Sequence, residues 1–276
     1  MLKKLIKYDF SAVLKYWWIA ALSTFVFALV GCACTEIFNS EKDLTEAAYI
    51  LATLGMVLVF ISFVAFFILT EIFIFLRFYK NFFSDEGYLT FTLPVKRSQL
   101  LFSKLFVSCT TLISSFIILM IDIGLILLVD FRKDIFTPVF WNEVSLFIDE
   151  AIKYFGIPYL ILYALEFIII GLLSTVASVL FMFVCITIAS VITKKAKIIT
   201  AIGIYYGANG ALTFIIQLFL IFGATALINW LSDIKESTAL AFGGLAGLIL
   251  LLLTAIFGAI LYAIQYWLTD RKLNLS

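Results

Sequence analysis

Residues Ala47 to Tyr79 read AAYILATLGMVLVFISFVAFFILTEIFIFLRFY, an apolar run charged only at Glu71 and Arg77. A helix needs about 20 such residues to cross the hydrocarbon of a bilayer, so the run is long enough to span with turns to spare. The same reading finds five more predicted spans: Lys15–Cys34, Gln99–Val129, Ile157–Ile192, Ile198–Trp230 and Ala239–Trp267. The expected architecture is an all-α integral membrane protein with six transmembrane helices forming one domain over residues 1–276. The second, third and fourth runs exceed the bilayer core, which predicts tilt or continuation into water. The fourth is long enough to hide a break.

Composition agrees with the runs. Of 276 residues 64% are hydrophobic and 13% charged, more apolar surface than a water-soluble domain of this size can hide. The net charge of +1 says little, because the side of the membrane on which each charge sits is what matters. With the N-terminus inside, Lys3, Lys4, Lys7, Lys15, Arg77, Lys80, Lys96, Arg97, Lys104, Lys194, Lys195, Lys197, Arg271 and Lys272 all fall on the cytoplasmic side. Outside, of the 19 basic residues, are only Lys42, Arg132, Lys133, Lys153 and Lys235. The positive-inside rule therefore predicts a multi-pass protein of the cytoplasmic membrane with both termini cytoplasmic. The tryptophans Trp17, Trp18, Trp141, Trp230 and Trp267 fall near predicted span ends, where an indole sits among headgroups.

Two flanking segments carry an amphipathic period. In Met1–Lys15, Leu2, Leu5, Ile6, Phe10, Val13 and Leu14 oppose Lys3, Lys4, Lys7 and Lys15. This predicts an elbow helix over residues 1–15 lying on the inner leaflet, the alternative being a charged lead-in to the first span. In the acidic outer segment 130–156, Phe140, Trp141, Val144, Phe147, Ile148, Ala151 and Ile152 oppose Glu143, Asp149, Glu150 and Lys153. A short outer helix is expected there, as a lid or as a packed connector.

Several chemistries find no residues. Histidine is absent, which removes the commonest metal ligand and general base. No Gly-x-x-x-x-Gly-Lys-Ser/Thr loop is present, so the chain does not bind ATP by that route. Cys32, Cys34, Cys109 and Cys185 lie in or at the ends of apolar runs and read as packing residues, with no metal site expected. Leu29-Val30-Gly31-Cys32 resembles a lipoprotein cleavage box, but the long patterned helix before it, with Asp9, and the five spans after it argue against cleavage. Ser108 and Ser174 read as packing residues. The chain is expected not to be an enzyme and to bind no cofactor and no nucleic acid.

Three acids interrupt the spans. Asp122 and Glu166 lie ~10 and ~14 Å from the outer ends at ~1.5 Å per residue, so both are expected in the outer half. They serve either a structural role or a polar pathway, and no basic residue in the spans pairs them. Glu71 is close enough in sequence to Arg77 to snorkel or form a salt bridge. Gly203, Gly207 and Ala211, and Gly243 with Gly247, recur every four residues and predict helix contacts. Asn209 and Gln217 add candidate interhelical or pathway polar groups.

One polar interruption stands between the second and third spans: Ser84-Asp85-Glu86-Gly87-Tyr88-Leu89-Thr90-Phe91-Thr92-Leu93-Pro94-Val95. Ser84 reads as a helix start and Pro94 as a stop, with Arg77 and Lys80 before and Lys96, Arg97 and Lys104 after. A short cytoplasmic helix between two spans suits a membrane subunit pushed by a soluble motor. The stretch Glu86-Gly87-Tyr88-Leu89-Thr90-Phe91-Thr92-Leu93-Pro94-Val95, followed by Lys96-Arg97-Ser98-Gln99-Leu100-Leu101, resembles the coupling segment of ABC transporter permeases of the type-2 exporter class. The resemblance covers the whole chain in layout and about 25 residues in motif, and the long acidic outer segment departs from it. It implies that Asp85, Glu86, Gly87, Tyr88, Leu89, Phe91, Leu93 and Pro94 form a coupling helix docked on an ATPase. It also implies a second permease subunit, with ATP and Mg held by the ATPase rather than by this chain. A stand-alone secondary transporter or a self-protection membrane protein is the rival reading. Cargo is not legible.

Overall fold

The computed structural model describes residues 2–40, 45–84, 87, 95–193, 197–231 and 236–271. Among them are eight helices and no strand: α1 (Leu2–Phe38), α2 (Glu46–Phe83), α3 (Arg97–Asp130), α4 (Arg132–Ile135), α5 (Pro138–Phe155), α6 (Ile157–Ile192), α7 (Lys197–Leu231) and α8 (Glu236–Arg271). Six of these, all but α4 and α5, contain segments long and apolar enough to cross a membrane. The fourth predicted span is a single unbroken helix with the predicted limits. The others run a few residues past their apolar cores.

The exception is α1. Its 37 residues run without interruption from Leu2 to Phe38, so the expected elbow over residues 1–15 and the first span are one helix. The reason lies in its buried stripe, which does not begin at the apolar run. Asp9, Val13, Trp17, Ala21, Thr24, Ala28 and Gly31 all face inward at three- and four-residue spacing. The basic amphipathic segment thus shares one packed face with the span that follows.

The chain divides into two compact units, Met1–Arg77 with Phe102–Glu150, and Phe78–Leu101 with Ala151–Ser276. In the first unit, Val13, Trp17 and Ala21 of α1 pack with Phe66 of α2 and Val107 of α3. Trp17, expected among headgroups, is only 4% exposed. Its indole N–H donates to Ser115 Oγ at 2.8 Å, and Ser115 Oγ lies 3.1 Å from Thr70 Oγ1. A buried indole keeps its place when its one donor is satisfied, and here two hydroxyls supply the partner network. In the second unit α6 packs against both α7 and α8.

Gly156 forms the corner between α5 and α6 with φ +75°, a conformation that a side chain disfavours. Pro158 follows in the first turn of α6, where its missing N–H has no helical partner to lose. The amphipathic helix predicted around residue 140 is α5, with no buried residue and with Trp141, Leu146 and Phe147 exposed.

Candidate functional site

The polar interruption is rooted in the second unit. Phe78, in the last turns of α2, stacks on Phe183 of α6 with ring centroids 3.8 Å apart and planes 7° from parallel. Phe82 stacks in turn on Phe78 at 4.8 Å. All three rings are 2% exposed or less, so the end of α2 is held by an aromatic column rather than by helix propensity alone. On the other side of the interruption, Arg97 in the first turn of α3 donates a long hydrogen bond, 3.4 Å, to the Thr269 carbonyl of α8. Fully buried Gln265 of α8 donates from Nε2 to Thr187 Oγ1 of α6 at 2.9 Å, and Thr187 donates to the Phe183 carbonyl. Both ends of the segment are therefore joined to α6 and α8.

Asp85, Glu86, Tyr88, Leu89, Phe91, Leu93 and Pro94 lie outside the described residues. Gly87 and Ser84 are described. The Ser84 hydroxyl donates back to the Lys80 carbonyl at the end of α2, and Gly87 is itself helical. The Ser84 carbonyl accepts from the Gly87 N–H at 2.7 Å. This turn brings Gly87 onto the end of α2, where a Cβ would sit 2.8 Å from the Phe82 carbonyl oxygen. A close approach within the chain therefore already favours glycine at this position.

The first unit holds an ionic cluster that the sequence pattern did not reveal. Asp9 of α1 is 1% exposed and Lys104 of α3 is 6% exposed. Lys104 Nζ bonds Asp9 Oδ1, and Ser103 Oγ donates to Asp9 Oδ2 at 3.3 Å. Arg77 of α2, expected beside Glu71, places Nη2 at 3.6 Å from Asp9 Oδ1 and its guanidinium over the Tyr8 ring at 5.3 Å. One carboxylate therefore ties together α1, α2 and α3 within the unit. The legible signal was positional: Asp9 heads the same four-residue stripe as Val13 and Trp17.

The intramembrane candidates separate. Asp122 of α3 belongs to the first unit, is 1% exposed, and lies within hydrogen-bonding reach of the Thr24 hydroxyl of α1. Glu166 of α6 belongs to the second and is 6% exposed. Its carboxyl presses on the backbone of α8, where a Cβ at Gly247 would meet Glu166 Cδ at 2.7 Å. Tyr163, one turn earlier, meets Gly243 in the same way, its hydroxyl 2.8 Å from where a Cβ would be. The α8 glycine stripe is thus a seat for two polar side chains of α6. Gly203 and Gly207 of α7 have nothing within 4 Å of a Cβ, and Asn209 and Gln217 are exposed. The expected contacts of that helix are not made among the described residues. Cys34 packs as a small apolar group, its Sγ against Gly55.

Set against protein-family models, curated proteins and solved structures, the chain matches none. The fold defines a helical, multi-pass membrane protein.

Proposed function

We propose that the chain is the membrane-spanning permease subunit of an ATP-driven exporter of the ABC type-2 class. In this reading it sits in the cytoplasmic membrane with both termini inside. It pairs with a second permease subunit, a copy or a relative, and with a soluble ATPase that carries ATP and Mg. The observation that supports this most is the rooting of the segment between α2 and α3. A push on the segment would be handed to α6 through the stacked rings of Phe78 and Phe183, and to α8 through Arg97 and the buried Gln265–Thr187 bond, because close-packed contacts transmit displacement. The uncovered small-residue face of α7, with Gly203 and Gly207, is the surface left for the second permease.

The test is co-purification with a soluble ATPase, sought first in an adjacent reading frame. Truncating a central apolar anchor of such an interface costs about 2 kcal/mol or more, roughly a thirtyfold loss of affinity. The double change Glu86→Ala, Leu89→Ala should strip the ATPase, or uncouple hydrolysis from transport, while membrane insertion is kept. Full association and transport in the double variant would remove the reading. A stand-alone transporter is the second reading, favoured by two membrane-buried carboxyls, Asp122 and Glu166, each with one oxygen lacking a hydrogen bond. It expects no ATPase to co-purify at all.

A further inference from the structure

Between α1 and α3 runs a groove of about 230 Å³, walled by Trp18, Ala21, Leu22 and Phe25 on one side and Ile118 and Ile121 on the other. At ~30 Å³ per water it has room for about eight waters, or for a short alkyl chain. Trp18 and Ile121 are more than half exposed, so its mouth is open to the side. Asp122 lines the groove and is the one ionisable residue among its described walls.

That carboxyl is unfinished. Asp122 is 1% exposed, and Oδ2 has no hydrogen-bond partner among the described residues. Thr24 is within reach, but its single hydroxyl proton already goes to the Ala21 carbonyl at 2.8 Å. A single hydroxyl proton shared in this way cannot satisfy both carboxyl oxygens, and Oδ2 is the one left over. A carboxyl at this depth in a span is costly unless something pairs with it. Among the described residues the walls supply no cation and no second donor, which leaves Oδ2 open to a group from outside the chain.

We infer that the groove binds an amphiphilic amine, its ammonium on Asp122 and its alkyl chain laid along Leu22, Phe25 and Trp18. Charge complementarity selects the head, and the apolar walls select the tail. Thr24, which marks the level of the carboxyl on α1, is six residues from Trp18, ~9 Å along the helix at ~1.5 Å per residue. That is within the reach of an extended eight-carbon chain. The inference concerns the first unit alone and stands whether or not an ATPase drives the protein.

The experiment uses the full-length protein in phosphatidylcholine nanodiscs at neutral pH, with 8-bromooctylamine as the probe. Its terminal bromine quenches indole fluorescence on contact, and the difference between the unmodified protein and Trp18→Phe isolates the signal of Trp18. Quenching of Trp18 should saturate with the amine. The uncharged 8-bromooctanol should need at least tenfold higher concentration, and Asp122→Asn should lose the preference for the amine. The comparison of amine with alcohol needs no change at Asp122, so it decides the matter even if that variant does not fold. Equal, non-saturating quenching by amine and alcohol, rising in proportion to their content in the bilayer, would overturn the inference.

Discussion

At Asp9 a carboxylate stands on the apolar stripe of a lysine-rich helix and faces Lys104 and Arg77 from a buried position. A buried ion pair contributes little relative to an apolar pair of the same shape, yet removing one member leaves the other charge desolvated without compensation. Asp9→Ala should therefore lower stability by about 3–5 kcal/mol, read as a fall in thermal unfolding temperature in detergent. The double change Asp9→Leu, Lys104→Leu should recover most of that loss. A double variant as unstable as the single one would mean that the pairing is not what Asp9 contributes. Asp9 and Trp17 share one stripe of α1 with Val13, but their own neighbourhoods do not show what that stripe meets. The sequence shows that each is polar or amphipathic near a span end, and only partners about 95 residues away decide that both are buried. Asp9 meets Ser103 and Lys104, and Trp17 meets Ser115.

Among the elements, α7 and α8 carry the same four-residue glycine spacing and use it differently. On α8 the missing side chains make room for Tyr163 and Glu166 of α6, while on α7 the corresponding positions face open space. Sequence spacing reports that backbones can approach, and it carries no information about which helix does so. Gly247→Ala should force the Glu166 carboxyl aside and cost about 1–3 kcal/mol, as overpacking typically does. Gly207→Ala meets nothing within 4 Å and should be neutral or stabilise the isolated chain by about 0.5–1 kcal/mol, through the better helix propensity of alanine. The pair is compared by denaturant titration of each variant in mixed micelles. Equal losses would show that the seat formed by α8 is not tighter than the open face of α7. By contrast, the limits of the fourth span were legible to the residue, because Gly156 and Pro158 mark its start chemically and its apolar run has no rival partner. The elbow segment and the first span are one continuous helix, a continuity that amphipathicity alone does not report.

For the whole molecule, six spans were legible because a bilayer demands long apolar helices whatever the tertiary contacts, and Ala47–Tyr79 meets that demand by itself. Orientation rests on a different force, the bias of Lys and Arg toward the cytoplasmic side. It is also the premise that puts Ser84–Val95 where a soluble ATPase could reach it. In a background with Cys32, Cys34, Cys109 and Cys185 replaced, Ser237→Cys lies just inside the start of α8 and Ser276→Cys lies beyond its end. Both termini inside and an even number of spans put position 237 outside and position 276 within. A membrane-impermeant maleimide added to intact cells should label Ser237→Cys and reach Ser276→Cys only after the cells are opened. The reverse pattern would invert every loop at once, move Glu86 and Leu89 to the outer face, and leave the proposed coupling to a cytoplasmic motor with no surface on which to act.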